Sequence, residues 1–187
     1  MARGLSARLA SGNANKLEEL RSALPDWELA LVDADELPPE EGSTYYENAR
    51  AKARFGRAVS DGWIIGEDSG IEVDALGGRP GIESARWAED GVAALVQALE
   101  GVENRSARYV CELVGISPEQ EEFRGTGTLT GTVATDPRGS EGFGYDPIFI
   151  PEGETKTVAE LGNDWKRTNS HRARAARALV ESIGSSR

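Results

Sequence analysis

Residues 66–74, Gly-Glu-Asp-Ser-Gly-Ile-Glu-Val-Asp, place the acidic doublet Glu67–Asp68 directly after the apolar run Trp63, Ile64, Ile65. Two carboxylates where a buried strand ends can do two kinds of chemistry. They can hold a hard divalent cation, since magnesium commonly takes one or two carboxylates together with substrate phosphates. A carboxylate left free of the metal can take a proton from water. Acids at the ends of sheet strands are also where open α/β sheets hold ligands. The bland reading is a turn, because Asp-Ser-Gly is ordinary loop chemistry. On this stretch alone both readings stay open, and a solvent-facing loop between two strands is expected.

Other stretches supply the complementary charge. Ser11-Gly12-Asn13-Ala14-Asn15-Lys16 precedes a helical pattern, and amides at a helix N-terminus attract phosphate. It lacks the Walker pattern, and its bland reading is a cap, with Asn15 and Glu18 as an approximate capping box. Lys16 nevertheless opposes the helix dipole unless an anion is near. Glu47 reads as the acid of a capping box begun by Thr44. Lys52 lies five residues on, about 140° around the helix, so the two do not share one direction. Phe143-Gly144-Tyr145-Asp146 reads either as an aromatic corner on Pro147 or as a flat slot. In the slot, Phe143 or Tyr145 stacks on a base and Asp146 accepts a hydrogen bond from it. Lys166, Arg167, Arg172, Arg174 and Arg177 form a basic run with no acid among them. The run suggests a small polyanion, or a solvated helix face. His171 and Arg172 open the last helix, where Arg172 again favours an anion nearby.

The elements that must position these residues follow from periodicity. Residues 5–11 read as a first strand, and Leu17, Leu20 and Leu24 give a helix that Pro25 stops. Residues 27–38 read as a second strand, and 43–59 as a helix with Tyr46, Ala49, Ala53 and Gly56 on a narrow face. Residues 63–76 read as strand, turn and strand, and 91–99 as a short amphipathic helix. Three further strands are expected in 106–116, 121–134 and 147–151. The closing helix, 170–183, turns Ala176, Leu179, Val180 and Ile183 inward. Helices alternate with strands in the first half and strands cluster in the second, which predicts a mixed-sheet α/β protein.

Composition narrows the partners. The chain has 187 residues, enough for one domain of one lobe or two. No apolar run approaches the ~18 residues of a membrane span, and no secretory h-region opens the chain. A single cysteine, Cys111, excludes an internal disulfide and fits a reducing cytoplasm. With one histidine besides, a zinc site of the usual kind is implausible. A net charge of −11 disfavours nucleic acid and anionic membranes as partners.

Five stretches in this order resemble the inosine triphosphate pyrophosphatase family: residues 11–16, "ENARAKA" at 47–53, "EDSGIEVDALGGRPGIESARWA" at 67–88, "GFGYDPIFIPEG" at 142–153, and "SHRARA" at 170–175. The resemblance covers nearly the whole chain. It implies an elongated mixed sheet with flanking helices, two lobes around a nucleotide-binding cleft, and a homodimer. It implies hydrolysis of ITP, dITP and XTP to the monophosphate and pyrophosphate, with Mg²⁺ as cofactor. Carried over by position, Asp68 would be the general base and approach the metal, which Glu47 and Glu67 would help hold. Asn13, Lys16 and Lys52 would bind phosphates, with Ser69 contributing and the rest of the loop (Ser11, Gly12, Ala14, Asn15) around them. Phe143 would stack on the purine, and Gly144, Tyr145 and Asp146 would line the base or sugar pocket. Lys166, His171 and Arg172 would contact base and phosphates.

The sequence departs from the family pattern twice: the segment after Asp90 is short, and the doublet is Glu-Asp where many relatives have two aspartates. A Maf-like pyrophosphatase would open with Ser-x-Ser-Pro-Arg, which this chain lacks. A non-catalytic nucleotide-binding module would be expected to lose Glu47, Glu67 or Asp68, and all three are present.

Overall fold

The computed structural model describes residues 4–185. In chain order the elements are β1 (Ser6–Ala10), α1 (Ala14–Ala23), β2 (Glu28–Leu31), α2 (Tyr45–Val59), β3 (Trp63–Val73), α3 (Gly91–Ala98), β4 (Ser106–Ile116), β5 (Glu122–Val133), β6 (Phe149–Pro151), α4 (Val158–Asn169) and α5 (His171–Ser185). The six strands form one sheet in the order β2-β1-β3-β4-β5-β6. β1 runs parallel to both β2 and β3, whereas β5 and β6 are antiparallel, so the sheet is mixed as the pattern predicts.

The chain divides into two compact units. Among the described residues the first comprises 4–68, Cys111–Gly127 and 172–185; the second comprises Ser69–Val110 and Thr128–His171. Strands β3, β4 and β5 each pass from one unit into the other. In the first unit α1 and α5 bury Leu17, Leu20, Leu179 and Ile183 against Leu9, Ile65, Cys111, Leu113 and Phe123. Val180, expected inward, is only half-buried at the edge of this core. In the second unit Ile71, Leu95, Tyr109, Leu129, Phe149 and Val158 form a separate core.

Besides the second strand, expected over 27–38 but formed only by Glu28–Leu31, three local expectations require correction. First, residues 63–73 are one continuous strand, with no turn at Asp-Ser-Gly. Gly66 looks like turn chemistry, but a Cβ there would lie 1.9 Å from the Ala49 carbonyl oxygen and 2.6 Å from the Ala53 nitrogen. The glycine is required because α2 lies against the strand, and the doublet is therefore buried instead of facing solvent. Second, the N-cap of α1 is Asn13, whose side chain accepts from the Asn15 amide at 2.9 Å; Glu18 pairs with Arg21 instead. Third, residues 158–169, given no element in the sequence reading, form α4, broken at Gly162 (φ 86°). Its start carries a complete capping box: Thr157 Oγ1 accepts from the Glu160 amide, and the Glu160 carboxylate accepts from the Thr157 amide.

Candidate active site

The first unit assembles charges around Glu67 and Asp68. Glu67 is completely buried, yet its carboxylate is ionised by its neighbours. Lys16 Nζ lies 2.6 Å from Oε2, and Arg172 donates to Oε1 through Nη2 at 2.9 Å and Nε at 3.3 Å. Burial pushes the Glu67 carboxyl up, but Lys16 and Arg172 outweigh it and hold the group well below the usual carboxylate range. Arg172, itself 2% exposed, also pairs with Glu19 of α1. Burial lowers its pKa, but Glu67 and Glu19 outweigh that and keep it firmly charged. The Cys111 thiol contacts Glu67 Oε1 at 3.6 Å; its own pKa is pushed well up, by burial first and by Glu67 next.

Asp68 is handled differently. Asn48 Nδ2 donates to Oδ2 at 3.0 Å, and Lys52 Nζ stands 3.5 Å from Oδ1. Lys52 also donates to the Glu67 main-chain carbonyl at 3.0 Å and pairs with Glu40. Burial is the largest influence on Asp68; Lys52 and Asn48 oppose it, and Glu40 and Glu67 add to it, so the carboxyl is pushed up to about 6. A carboxylate with that value is ionised near neutrality and still basic enough to accept a proton. Lys52 remains charged: burial lowers it, but Asp68 and Glu40 more than compensate.

The other residues singled out in this unit lie as follows. Thr44 caps α2 by accepting from the Glu47 amide at 3.1 Å. The expected capping box does not close on Thr44: the exposed Glu47 carboxylate accepts instead from the Ser43 amide and hydroxyl, both at 2.7 Å, and these bonds hold its pKa down. It does not meet Lys52, whose carboxylate partners are Glu40 and Asp68. Ser11 Oγ accepts from the Asn13 amide at 3.1 Å, and Gly12, Ala14 and Asn15 are exposed.

In the second unit Asp146 is the hub. Its Oδ1 accepts from Tyr109 Oη at 3.1 Å; its Oδ2 accepts from Lys166 Nζ at 2.6 Å and from the Phe143 amide at 2.9 Å. Gly142 lets the loop fold back onto it: φ is 80°, and a Cβ would lie 2.2 Å from Oδ2. The half-buried Phe143 ring has Lys166 Nζ 4.8 Å from its centroid. His171 stacks on Tyr109, with centroids 4.5 Å apart and planes 11° from parallel. Tyr145 belongs to the core of this unit, and its hydroxyl donates to the Ser84 carbonyl at 2.9 Å. Burial raises its pKa. Gly144 is exposed with φ 61°, and Ser69 is half-buried.

The basic run does not survive as one patch. Lys166 and Arg172 are buried and paired, whereas Arg167, Arg174 and Arg177 are exposed. Sequence reasoning passes over Asn48, Glu40, Glu19 and Tyr109. Asn48 and Lys52 are four residues apart and therefore neighbours on α2, a signal available in advance. Glu40, in a Pro-Pro-Glu-Glu loop, offers none.

Among the described residues no group of three or more His, Cys, Asp or Glu side chains is placed to hold a metal. The donor set fits a cation that keeps open coordination positions for water and phosphate. Glu40 and Asp68 supply hard oxygens, and both already face a single cation, the Lys52 ammonium. No helix among the described residues is long and apolar enough to cross a membrane.

Comparison with known proteins gives a consistent picture. A sequence model described as the Ham1 family matches residues 7–182. A protein of Bdellovibrio bacteriovorus named dITP/XTP pyrophosphatase is 40% identical over 190 residues, covering 94% of this chain and 96% of its own length. One of the same name from Deinococcus deserti is 39% identical, covering 95% of this chain and 88% of the relative. Among solved structures, the Ham1 protein of Staphylococcus aureus superimposes with a TM-score of 0.83 at 33% identity, over 97% of this chain and all of that one.

Proposed function

The chain belongs to the Ham1 family, and from that premise we propose that it is a nucleoside triphosphate pyrophosphatase acting on non-standard purine nucleotides such as dITP, ITP and XTP. The names of its relatives support the substrate class. The observation that carries the chemistry is Asp68, a buried carboxyl held by Asn48 and Lys52 with its pKa pushed up to about 6. Water gives its proton to Asp68, its oxygen forms the new bond to phosphorus, and the anhydride bond between α- and β-phosphate breaks. The products are the nucleoside monophosphate and pyrophosphate. Lys16 and Lys52 offset charge developing on the phosphate oxygens.

A magnesium ion would be held by Asp68 with Glu40, and Glu47, exposed in the first turn of α2, would help hold it. When bound, it would supply Lewis-acid stabilisation of the phosphates. Phe143 offers an aromatic face to the purine, with the Lys166 ammonium 4.8 Å from its centroid, and His171, stacked on Tyr109, would be a second donor. A site that offers donors to a 6-keto oxygen leaves the 6-amino group of adenine facing donors, a mismatch worth several orders of magnitude. We further propose a cytoplasmic homodimer with no nucleic-acid partner; the net charge of −11 supports the last point.

Incubation with ITP, dITP, XTP, GTP, ATP and UTP plus Mg²⁺ tests this. Pyrophosphate should appear from the first three at rates far above the rest. Orthophosphate release, or equal rates on all six, would overturn it.

A further inference from the structure

We propose that Glu67 is not a ligand of the metal but the internal anion that positions Lys16 and Arg172. The two acids of the doublet are adjacent in a strand, so their side chains leave opposite faces of the sheet. The packing bears this alternation out. Ile65 lies in the core formed with α1 and α5, and Glu67, two residues on, meets Lys16 of α1 and Arg172 of α5. Gly66 lies against α2, and Asp68, two residues on, meets Asn48 and Lys52 of α2. The doublet therefore serves two different faces.

Occupancy separates the acids further. Both oxygens of Glu67 are engaged by cations, with Lys16 on one and Arg172 on the other, and none of the side chain is exposed. A divalent ion there would meet two positive charges at hydrogen-bond range and no room for the waters magnesium retains. The four charges Lys16, Arg172, Glu67 and Glu19 balance to zero, and Glu67 Oε2, which accepts no formed hydrogen bond, has the Lys16 ammonium as its ion-pair partner. The consequence is positional. Lys16 has four rotatable carbons, and a buried carboxylate at 2.6 Å fixes where its ammonium stands at the start of α1. The same carboxylate ties the first turn of α5 to β3.

The inference rests on the reading that Lys16 binds substrate phosphate, and its test separates the two. Mn²⁺ is titrated into nucleotide-free protein by electron paramagnetic resonance, for wild type, E67Q and D68N. E67Q should bind Mn²⁺ within twofold of wild type, whereas D68N should bind it at least tenfold more weakly. Where the free protein holds Mn²⁺ too weakly to titrate, the Mg²⁺ concentration for half-maximal rate replaces the measurement. The KM of E67Q for XTP should rise about tenfold, more than kcat falls, and in a K16Q background E67Q should add no further rise. A tenfold loss of metal affinity in E67Q, or KM effects that multiply in the double variant, would overturn the proposal. If E67Q does not fold, E67D keeps the charge but reaches one cation instead of two, and the same outcomes decide. If wild type releases no pyrophosphate from any purine triphosphate, the functional reading falls, while the Mn²⁺ titration still decides the role of Glu67.

Discussion

Each unit of the molecule builds a buried aspartate against a lysine, and the two carboxylates are engaged to different degrees. In the second unit Lys166 sits 2.6 Å from Asp146, and Tyr109 and the Phe143 amide donate to the same carboxylate. Such a carboxylate can organise its neighbours but has less left to offer a substrate. In the first unit Lys52 stands 3.5 Å from Asp68, shared with Glu40 and a main-chain carbonyl, and Asn48 is the one close donor. Here the carboxyl keeps an oxygen that can accept a proton. The same two residue types thus yield a scaffold in one place and a base in the other, and the number of donors makes the difference.

The sharpest way to break this comparison is to neutralise each aspartate. Asp68→Asn should lower kcat at least a thousandfold, the upper part of the range for a lost general base. Raising the Asp68 carboxyl from 3.8 to about 6 costs its ionised form about 3 kcal/mol. The group's favourable contribution is complete below pH ~4 and is lost as pH rises through about 6. Asp68→Asn should therefore melt no lower than wild type at pH 7.5, and a large fall in Tm would contradict this account. Asp146→Asn should do the reverse. It leaves Lys166 buried without its counter-charge and should cost about 3 kcal/mol of stability, read by urea denaturation. A stable Asp146→Asn with normal folding would show that the hub is not structural.

Smaller effects sharpen the contrast. The acid limb of kcat/KM should fall as pH drops through about 6, because Asp68 must be ionised to accept a proton; bound metal moves that limb downward. Phe143→Ala should raise the KM for XTP about tenfold and change kcat less, as expected for stacking of ~1–2 kcal/mol. A change confined to kcat would contradict the stacking role. Tyr109→Phe keeps the ring on His171 and removes only the hydroxyl on Asp146, so about 1 kcal/mol of stability should go while XTP turnover stays within threefold.

What could be read in advance was local. The Thr44 cap, the packing face of α2 and the inward Ala176, Leu179 and Ile183 depend on neighbours three or four residues away, and all appear as expected. The Thr157–Glu160 capping box is equally local, and Val158, Leu161 and Trp165 fall on one helical face; the polar residues between them and the break at Gly162 obscure α4 all the same. The strand through Asp-Ser-Gly was misjudged for a different reason: Gly66 answers to the backbone of α2, which no window around residue 66 contains. Dipole reasoning about Lys16 and Arg172 was right in kind, since each does have an anion beside it. That anion is Glu67, 105 positions before Arg172, which makes much of the expected phosphate-binding charge internally paired.

The most direct test of the central claim is single-turnover hydrolysis of XTP, with wild type and Asp68→Asn measured side by side in excess over nucleotide and Mg²⁺. Wild type should convert the bound XTP to XMP and pyrophosphate in one fast phase. Asp68→Asn should bind the nucleotide and form pyrophosphate at least a thousandfold more slowly. Orthophosphate as the product, or an Asp68→Asn rate within threefold of wild type, would contradict the assignment of a pyrophosphatase whose base is Asp68.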